Sequence, residues 1–238
     1  MNAWVLVLLV AQTPKAEAER PFVPPTLVST TVGVKLGPYQ ADIDSEFGSA
    51  TPLGDLFKDD TGIYVVPQVR LLRDFGFFGL GVSVSVGYTQ QSTKAFVDDG
   101  DETTPSSGTE LSGGETSVRV IPVAALGVVR FRGVMEWIGL PLIPYVEAGP
   151  AYAFWRIGKG DGSAAASGGS LGWTVNAGVA LRIDSFEPFA SKALRDQFGV
   201  QGTELTFEWS HLSADGFGLQ DVLRVGDSTW TAGLAIGF

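Results

Sequence analysis

The sequence predicts an all-β protein, an eight-stranded antiparallel transmembrane β-barrel with long external loops and one short periplasmic helix. Three observations predict it. Eight segments alternate apolar with polar or small residues, the second face of those segments is rich in Gly, Ala and Ser, and long and short connections alternate along the chain. A period of two is the pattern of strands with two different faces, and about ten residues suffice for a tilted strand to cross a bilayer.

The first three segments have one face of branched and aromatic residues: Thr30, Val32, Val34 and Leu36; Ile63, Val65, Pro67, Val69 and Leu71; Phe78, Leu80, Val82, Val84, Val86 and Tyr88. Their other faces carry Thr31, Gly33 and Lys35; Tyr64, Val66, Gln68, Arg70 and Leu72; Gly79, Gly81, Ser83, Ser85, Gly87 and Thr89. The fourth segment, 116–131, is apolar on both faces except for Arg119. Its composition predicts a strand but leaves its register open.

The last four segments continue the pattern. Their apolar faces are Leu142, Pro144, Val146, Ala148, Pro150, Tyr152 and Phe154; Leu171, Trp173, Val175, Ala177, Val179 and Leu181; Leu205, Phe207 and Trp209; Trp230, Ala232, Leu234, Ile236 and Phe238. The residues between them are mostly small or polar. Eight is an even number, as a single-chain barrel of this class requires.

The position of the charged residues indicates which face points inward. The polar residues fall on the same faces as the glycines and serines: Lys35, Gln68, Arg70, Arg119, Glu147, Asn176, Arg182, Glu204 and Glu208. A narrow barrel interior needs small residues, whereas the solvent face of a soluble sandwich carries many Lys and Glu. We therefore expect the apolar faces to point to lipid, the charges to pair inside, and interfacial girdles to form from Phe78, Tyr88, Phe154, Trp173, Trp209, Trp230 and Phe238.

The connections support the same topology. The odd-numbered connections are long and rich in Gly, Ser and Asp, whereas "RDFG" and "RGVMEWIGL" are compact. Outer-membrane barrels have long external loops and short periplasmic turns. The remaining even connection contains "SKALRDQF", which predicts a short helix on the periplasmic side.

The two ends of the chain predict its destination. Residues 1–18 contain the apolar run "AWVLVLLVA" and then Ala16, Glu17 and Ala18, a small-x-small pattern typical of a cleaved secretory signal peptide. Residues 19–238 would then form one outer-membrane barrel domain. The terminal aromatic Phe238 resembles the signal by which the outer-membrane barrel assembly machinery recognises its substrates, so that machinery is an expected partner.

Composition excludes several functions. The net charge is −10 and no basic cluster is present, which excludes a nucleic-acid partner because phosphate binding needs Lys and Arg patches. The chain has no Cys and one His, and it lacks phosphate-loop and HExxH motifs. We expect no cofactor, no enzymatic activity and a monomer in the bacterial outer membrane, in contact with lipopolysaccharide.

Several stretches resemble a family of small outer-membrane β-barrel proteins from myxobacteria and their relatives. They are "VGVKLGPYQADIDSEF", "TPLGDLF", "LRDQFGVQGTELTFEWS" and "DSTWTAGLAIGF". The resemblance implies topology and location, and it brings no catalytic residues.

One candidate catalytic pair remains, His211 and Ser213 in "SHLSADG". Its spacing resembles the His-x-Ser pair of lipid A deacylases, in which a histidine activates a serine beside the bilayer. The deacylase pattern has Asn after the serine, whereas Ala214 follows here, and the acid would have to be Asp215 or Asp221. The alternative is an interfacial histidine beside a serine in a turn.

One candidate metal site lies in "DDGDE", where Asp98, Asp99, Asp101 and Glu102 could bind Ca²⁺ through oxygen ligands. The segment lacks the spacing of a calcium loop, so a solvated loop, or one that shares divalent cations with lipopolysaccharide phosphates, is the alternative.

Three function classes follow: a barrel with a filled lumen and a structural or surface-interaction role, which we favour; a lipid A deacylase-like enzyme; and a narrow channel or carrier of small apolar ligands. An eight-stranded barrel has an interior just wide enough to be filled by side chains.

Overall fold

A computed structural model describes residues 28–39, 62–94, 115–158, 164–186, 188–217 and 223–238. The predicted signal peptide lies outside these residues, as do Asp98, Asp99, Asp101, Glu102 and Asp221. Among the described residues, no helix is long and apolar enough to cross a membrane.

Strands dominate the described part of the chain. The strands are β1 (Ser29–Tyr39), β2 (Gly62–Asp74), β3 (Phe78–Val86), β4 (Thr89–Lys94), β5 (Glu115–Phe131), β6 (Leu142–Gly158), β7 (Ala164–Arg182), β8 (Gly202–Ser213) and β9 (Asp227–Gly237). The helices are α1 (Gly133–Ile138) and α2 (Pro188–Phe198), and a 3₁₀ turn spans Ile183–Ser185. The predicted helix is confirmed as α2, whereas α1 was not predicted.

The strands close into one antiparallel barrel with eight strand positions around the ring, each of which we call a stave. β3 and β4 are two parts of a single stave, because both pair with β5. The chain order is kept around the ring, and β9 closes it by pairing with β1 from Thr31–Gly237 to Leu36–Ala232. The terminal Phe238 completes the seam: its N–H donates to the Thr30 carbonyl at 2.7 Å and its carbonyl accepts from the Thr30 N–H at 3.1 Å. The predicted fold class is confirmed.

Gly87 separates β3 from β4 for a steric reason. A Cβ at this position would lie 2.5 Å from the ring of Tyr64 on the neighbouring strand, so only glycine leaves room for that inward-facing aromatic ring. An isolated bridge between Val65 and Tyr88 carries the pairing across the interruption. The two faces therefore keep their alternation along the whole stave.

The apolar faces point outward, as predicted. Val32, Val34, Val82, Val84 and Leu234 are all exposed on the outer surface of the barrel. Their neighbours along the strands, among them Lys35, Ser83 and Ser85, are buried in the lumen. A closed barrel satisfies all its inter-strand backbone hydrogen bonds, so this apolar surface can face lipid without unpaired polar groups.

Two features of the interior differ from the sequence prediction. Arg119 lies on the outer face of β5 and not in the lumen, and the buried arginine of this strand is Arg130. The lumen is also less polar than predicted. In its external half, an apolar cluster lies beside buried Gln91, Ser170 and Thr229. The members of the cluster are Tyr39, Val118, Val120, Ala124, Leu126, Ala151, Ala153, Leu212, Ala214 and Val225.

The physical reason is the composition of β5. Both faces of β5 are apolar, so alternation alone did not show whether Arg119 points into the lumen or toward lipid. Near the external end of the barrel, outward exposure is tolerable for Arg119 because its Nη2 donates to Gln90 Oε1 at 3.1 Å and its guanidinium lies 5.9 Å from the Tyr88 ring centroid. Long basic side chains at an interface reach the headgroup region in this way.

Candidate functional site

The middle of the lumen is crossed by a network of buried charged and polar side chains, which we call the lumen network: Lys35, Gln68, Arg70, Tyr145, Glu147, Asn176 and Glu208. Its members come from β1, β2, β6, β7 and β8, on different sides of the barrel. Alternation along each strand turns these residues inward, and strand register brings them to a similar depth. The network therefore links strands that share no backbone hydrogen bonds.

Glu147 is at the centre of one half of the lumen network and has no solvent exposure. Its Oε1 accepts a hydrogen bond from Arg70 Nε at 2.6 Å. Its Oε2 accepts from Gln68 Nε2 at 2.7 Å and from Asn176 Nδ2 at 3.3 Å. Both carboxylate oxygens are thus satisfied, as a buried charge requires.

Glu208 is at the centre of the other half. Lys35 Nζ donates to Glu208 Oε1 at 2.6 Å, and the Tyr145 hydroxyl donates to Glu208 Oε2 at 2.9 Å. Arg70 joins the two halves, because its Nη2 lies 3.9 Å from Glu208 Oε2 and its guanidinium lies 4.8 Å from the Tyr145 ring centroid. Two cations face two carboxylates, so the four charged members carry no net charge.

The space beside the lumen network is small. One cavity of about 10 Å³ borders Lys35, Gln68 and Arg70 on the periplasmic side, and a second of about 20 Å³ borders Lys35, Asn176 and Glu208 on the external side. A cavity of roughly 10–15 Å³ is the minimum for one water molecule. The lumen at this depth therefore has room for single waters and not for a hydrated ion.

The periplasmic mouth carries three further ion pairs. Arg130 Nη2 donates to both oxygens of Glu204 at 2.8 Å, Arg182 Nη2 donates to Asp184 Oδ2 at 2.6 Å, and Arg132 pairs with Asp74. These pairs surround a cavity of about 120 Å³ that also borders Phe238. Arg182 and Glu204 thus sit at the rim of the lumen and do not contribute to the lumen network.

His211 lies on the outer face of β8, among aromatic residues at the external end. Its Nδ1 is 2.7 Å from Ser228 Oγ on the paired strand β9. Its ring centroid is 5.1 Å from that of Trp173 and 5.9 Å from that of Trp209. Ser213 lies two residues further along the same face of β8. The structure thus assigns the hydrogen-bond partner of His211 to Ser228, which the sequence interpretation had not considered.

A serine within hydrogen-bond reach of a histidine is one requirement of serine hydrolysis. A cleft of about 450 Å³ beside His211 is bordered by Ser213, Asp215, Asp227 and Ser228. The deacylase alternative stays a prediction, and a Ser213→Ala variant tests it only when Ser228→Ala is assayed beside it.

Among the described residues, no group of three or more His, Asp and Glu side chains is placed to hold a metal ion.

Several members of the lumen network were predictable and others were not. Alternation placed Lys35, Gln68, Arg70, Glu147, Asn176 and Glu208 on inward faces. Tyr145 shares that face with Glu147, two residues away, but an aromatic residue in an apolar strand carries no sign of a buried hydroxyl contact. The Ser228 contact depends on the β8–β9 register, which follows from neither strand alone.

No protein-family model and no curated protein sequence matches this chain. Solved structures with some similarity include Ail, the attachment invasion locus protein of Yersinia pestis, at 16% identity over 89% of this chain and 97% of that chain, with a TM-score of 0.45. Neisserial surface protein A shares 13% identity over 89% of this chain and 97% of its own, with a TM-score of 0.44. OprG of Pseudomonas aeruginosa shares 11% sequence identity over 90% of this chain and 97% of its own, with a TM-score of 0.40.

The barrel's own properties place it in the bacterial outer membrane. It is closed, antiparallel and even in its number of staves, and it carries an exposed apolar band around a buried polar network. Such single-chain barrels, with alternating lipid-facing and lumen-facing residues, are the spanning structures of bacterial outer membranes. The resemblance to the myxobacterial family stays a prediction.

Proposed function

We propose that this barrel is a non-conducting scaffold of the outer membrane, whose filled lumen holds the strands rigid and whose external connections make contacts at the cell surface. The observation that carries the proposal is the lumen network, which joins five strands across the barrel and leaves only water-sized cavities beside it. The interior of an eight-stranded barrel is just wide enough to be filled by side chains, so among the described residues these cavities are too small for a hydrated ion to pass.

The external half of the lumen supports the same proposal. Ala214 and Val225, on either side of the β8–β9 connection, are buried in the apolar cluster at that end. The Val225 N–H donates to the Ala214 carbonyl at 3.1 Å, and Ser170 Oγ donates to the Leu223 carbonyl at 2.6 Å. An apolar cluster above an ion-pair network without net charge gives a permeating ion neither space for its hydration shell nor a compensating charge.

We predict that the purified barrel produces no single-channel steps in a planar lipid bilayer. The narrow-channel alternative requires such steps, because even a small aqueous pore carries a measurable current. Insertion is verified by heat-modifiable gel mobility of protein recovered from the same membranes, and a general porin is the positive control. Regular conductance steps from the inserted barrel would contradict the proposal.

The surface role has its own test, since a sealed barrel is compatible with any external partner. Protease added to intact cells should cut within 40–61 or 95–114, the two longest external connections of the predicted topology, and leave the barrel core whole. Cleavage at these connections only after the outer membrane is permeabilised would contradict external display.

A further inference from the structure

The periplasmic helix α2 has an apolar surface that the barrel does not cover. Phe189 is 88% exposed and Phe198 is 67% exposed, and Leu194 between them is also exposed. All residues from Lys192 to Gly199 are solvent-exposed. Among the described residues, α2 packs mainly on the 3₁₀ turn that precedes it, where Ser191 Oγ donates to the Asp184 carbonyl at 3.3 Å.

The exposed apolar residues share one side of α2. At 3.6 residues per turn, Phe189 and Phe198 lie at the two edges of one half of the helix circumference, with Ala193 and Leu194 between them. Gln197 also falls in this half, which we call the apolar arc. Ser191, Lys192, Arg195 and Asp196 occupy the other half. A short helix with bulky apolar groups on one side and basic groups on the other is the pattern of a helix that lies in a membrane interface.

The ends of α2 are fixed to the barrel rim. The helix follows the 3₁₀ turn at the end of β7, and Gly199 ends it in the left-handed conformation, with φ of 71° and its N–H donating to the Arg195 carbonyl at 3.0 Å. Gln201 then donates to the Gly237 carbonyl at 2.7 Å, which returns the chain to the strands. Both ends of α2 are thus attached to strand ends at the periplasmic rim of the barrel.

Other exposed aromatic residues lie at the same end of the barrel as the apolar arc. Phe186, just before α2, is exposed, and at the same end of the barrel so are Phe77, Trp137 and Phe238. Aromatic residues at one end of a barrel mark the membrane interface. We propose that α2 lies flat on the periplasmic leaflet of the outer membrane, with its apolar arc in the acyl region and Lys192 and Arg195 toward anionic phospholipid phosphates.

The test uses single cysteines, which are unique labels because the chain has none of its own. Ala193→Cys lies on the apolar arc, and Arg195→Cys, two residues away and about 200° further around the helix, lies on the opposite side as the matched control. Each variant of the full mature chain is labelled with an environment-sensitive fluorophore. It is then reconstituted in phosphatidylcholine vesicles containing phosphatidylglycerol, with and without brominated acyl chains.

We expect emission from position 193 to be blue-shifted and quenched at least twofold more by brominated lipid than emission from position 195. A double variant, Phe189→Ser with Phe198→Ser, should remove this difference while heat-modifiable mobility stays unchanged. Water-like emission at both positions would overturn the proposal. Blue-shifted emission at 193 that brominated lipid does not quench would also overturn the proposal. If that blue shift increases with protein density, a second copy of the chain covers the apolar arc; if it requires periplasmic extract, a periplasmic protein does.

Discussion

Replacing Glu147 by Ala should destabilise the folded barrel by roughly 3–5 kcal/mol, the usual cost of removing one partner from a buried ion pair. The substitution leaves Arg70 buried without its 2.6 Å partner and removes the acceptor of Gln68 and Asn176. Two buried cations, Lys35 and Arg70, then face the single carboxylate of Glu208. The free energy of unfolding is measured by urea titration in detergent micelles, with heat-modifiable gel mobility as the readout.

Two comparison variants make this result specific. Removing both charges, as in Arg70→Met with Glu147→Leu, should restore much of the lost stability, because a neutral pair of similar volume leaves no unpaired charge. Asp74→Asn breaks a half-exposed ion pair at the rim and should cost no more than about 1 kcal/mol. A loss of less than about 1 kcal/mol for Glu147→Ala would show that the lumen network does not hold the barrel together.

The second large effect is expected on the outer face. Replacing Val82 by Arg should cost roughly 2–4 kcal/mol in a bilayer, since a cation near the midplane of a barrel's lipid face loses its hydration. Val82 is 57% exposed and lies midway between the girdle residues Phe78 and Tyr88 on its stave. The measurement is the urea midpoint for folding into phospholipid vesicles.

The control for this prediction is an outward-facing residue at a different depth in the membrane. Ile63 is also outward and exposed, but it precedes Val65, the partner of Tyr88, and so lies beyond the external girdle. Ile63→Arg should therefore cost roughly 0–1 kcal/mol, the value for interfacial positions. Equal effects at the two positions would mean that Val82 does not face the hydrocarbon core.

The sequence predicted most of the fold because seven of the eight staves have two chemically different faces. On those staves, one register error would move every charge to lipid, so the faces of Lys35, Arg70 and Glu147 followed directly from alternation. β5 lacks this information, since both of its faces are apolar, and Arg119 was assigned to the wrong side for that reason. The arginine that points inward is Arg130, which lies on the opposite face of the same strand, so each face of β5 carries one arginine and the charges did not decide between them.

The site was less predictable than the fold, because its contacts depend on distance across the barrel. Inward direction is a property of each strand, whereas the pairing of Lys35 with Glu208 and of Arg70 with Glu147 depends on stave tilt and shear. The apolar cluster in the external half was also missed, since Tyr39 and Val225 border connections whose path the alternation does not describe. The helix α2 was predicted from composition, but its uncovered apolar arc became visible only with the rim geometry.

The central claim, that the branched residues face lipid around a packed lumen, is tested most directly by adjacent cysteines on β3. Val84→Cys and Ser85→Cys are each labelled in the unfolded state with a small lipid-quenchable fluorophore, refolded into vesicles, and compared with and without brominated acyl chains. The label at position 84 should be strongly quenched by brominated lipid, whereas the label at position 85 should either block folding or escape quenching, because Ser85 is buried in the lumen. Quenching at 85 with protection at 84 would contradict the account.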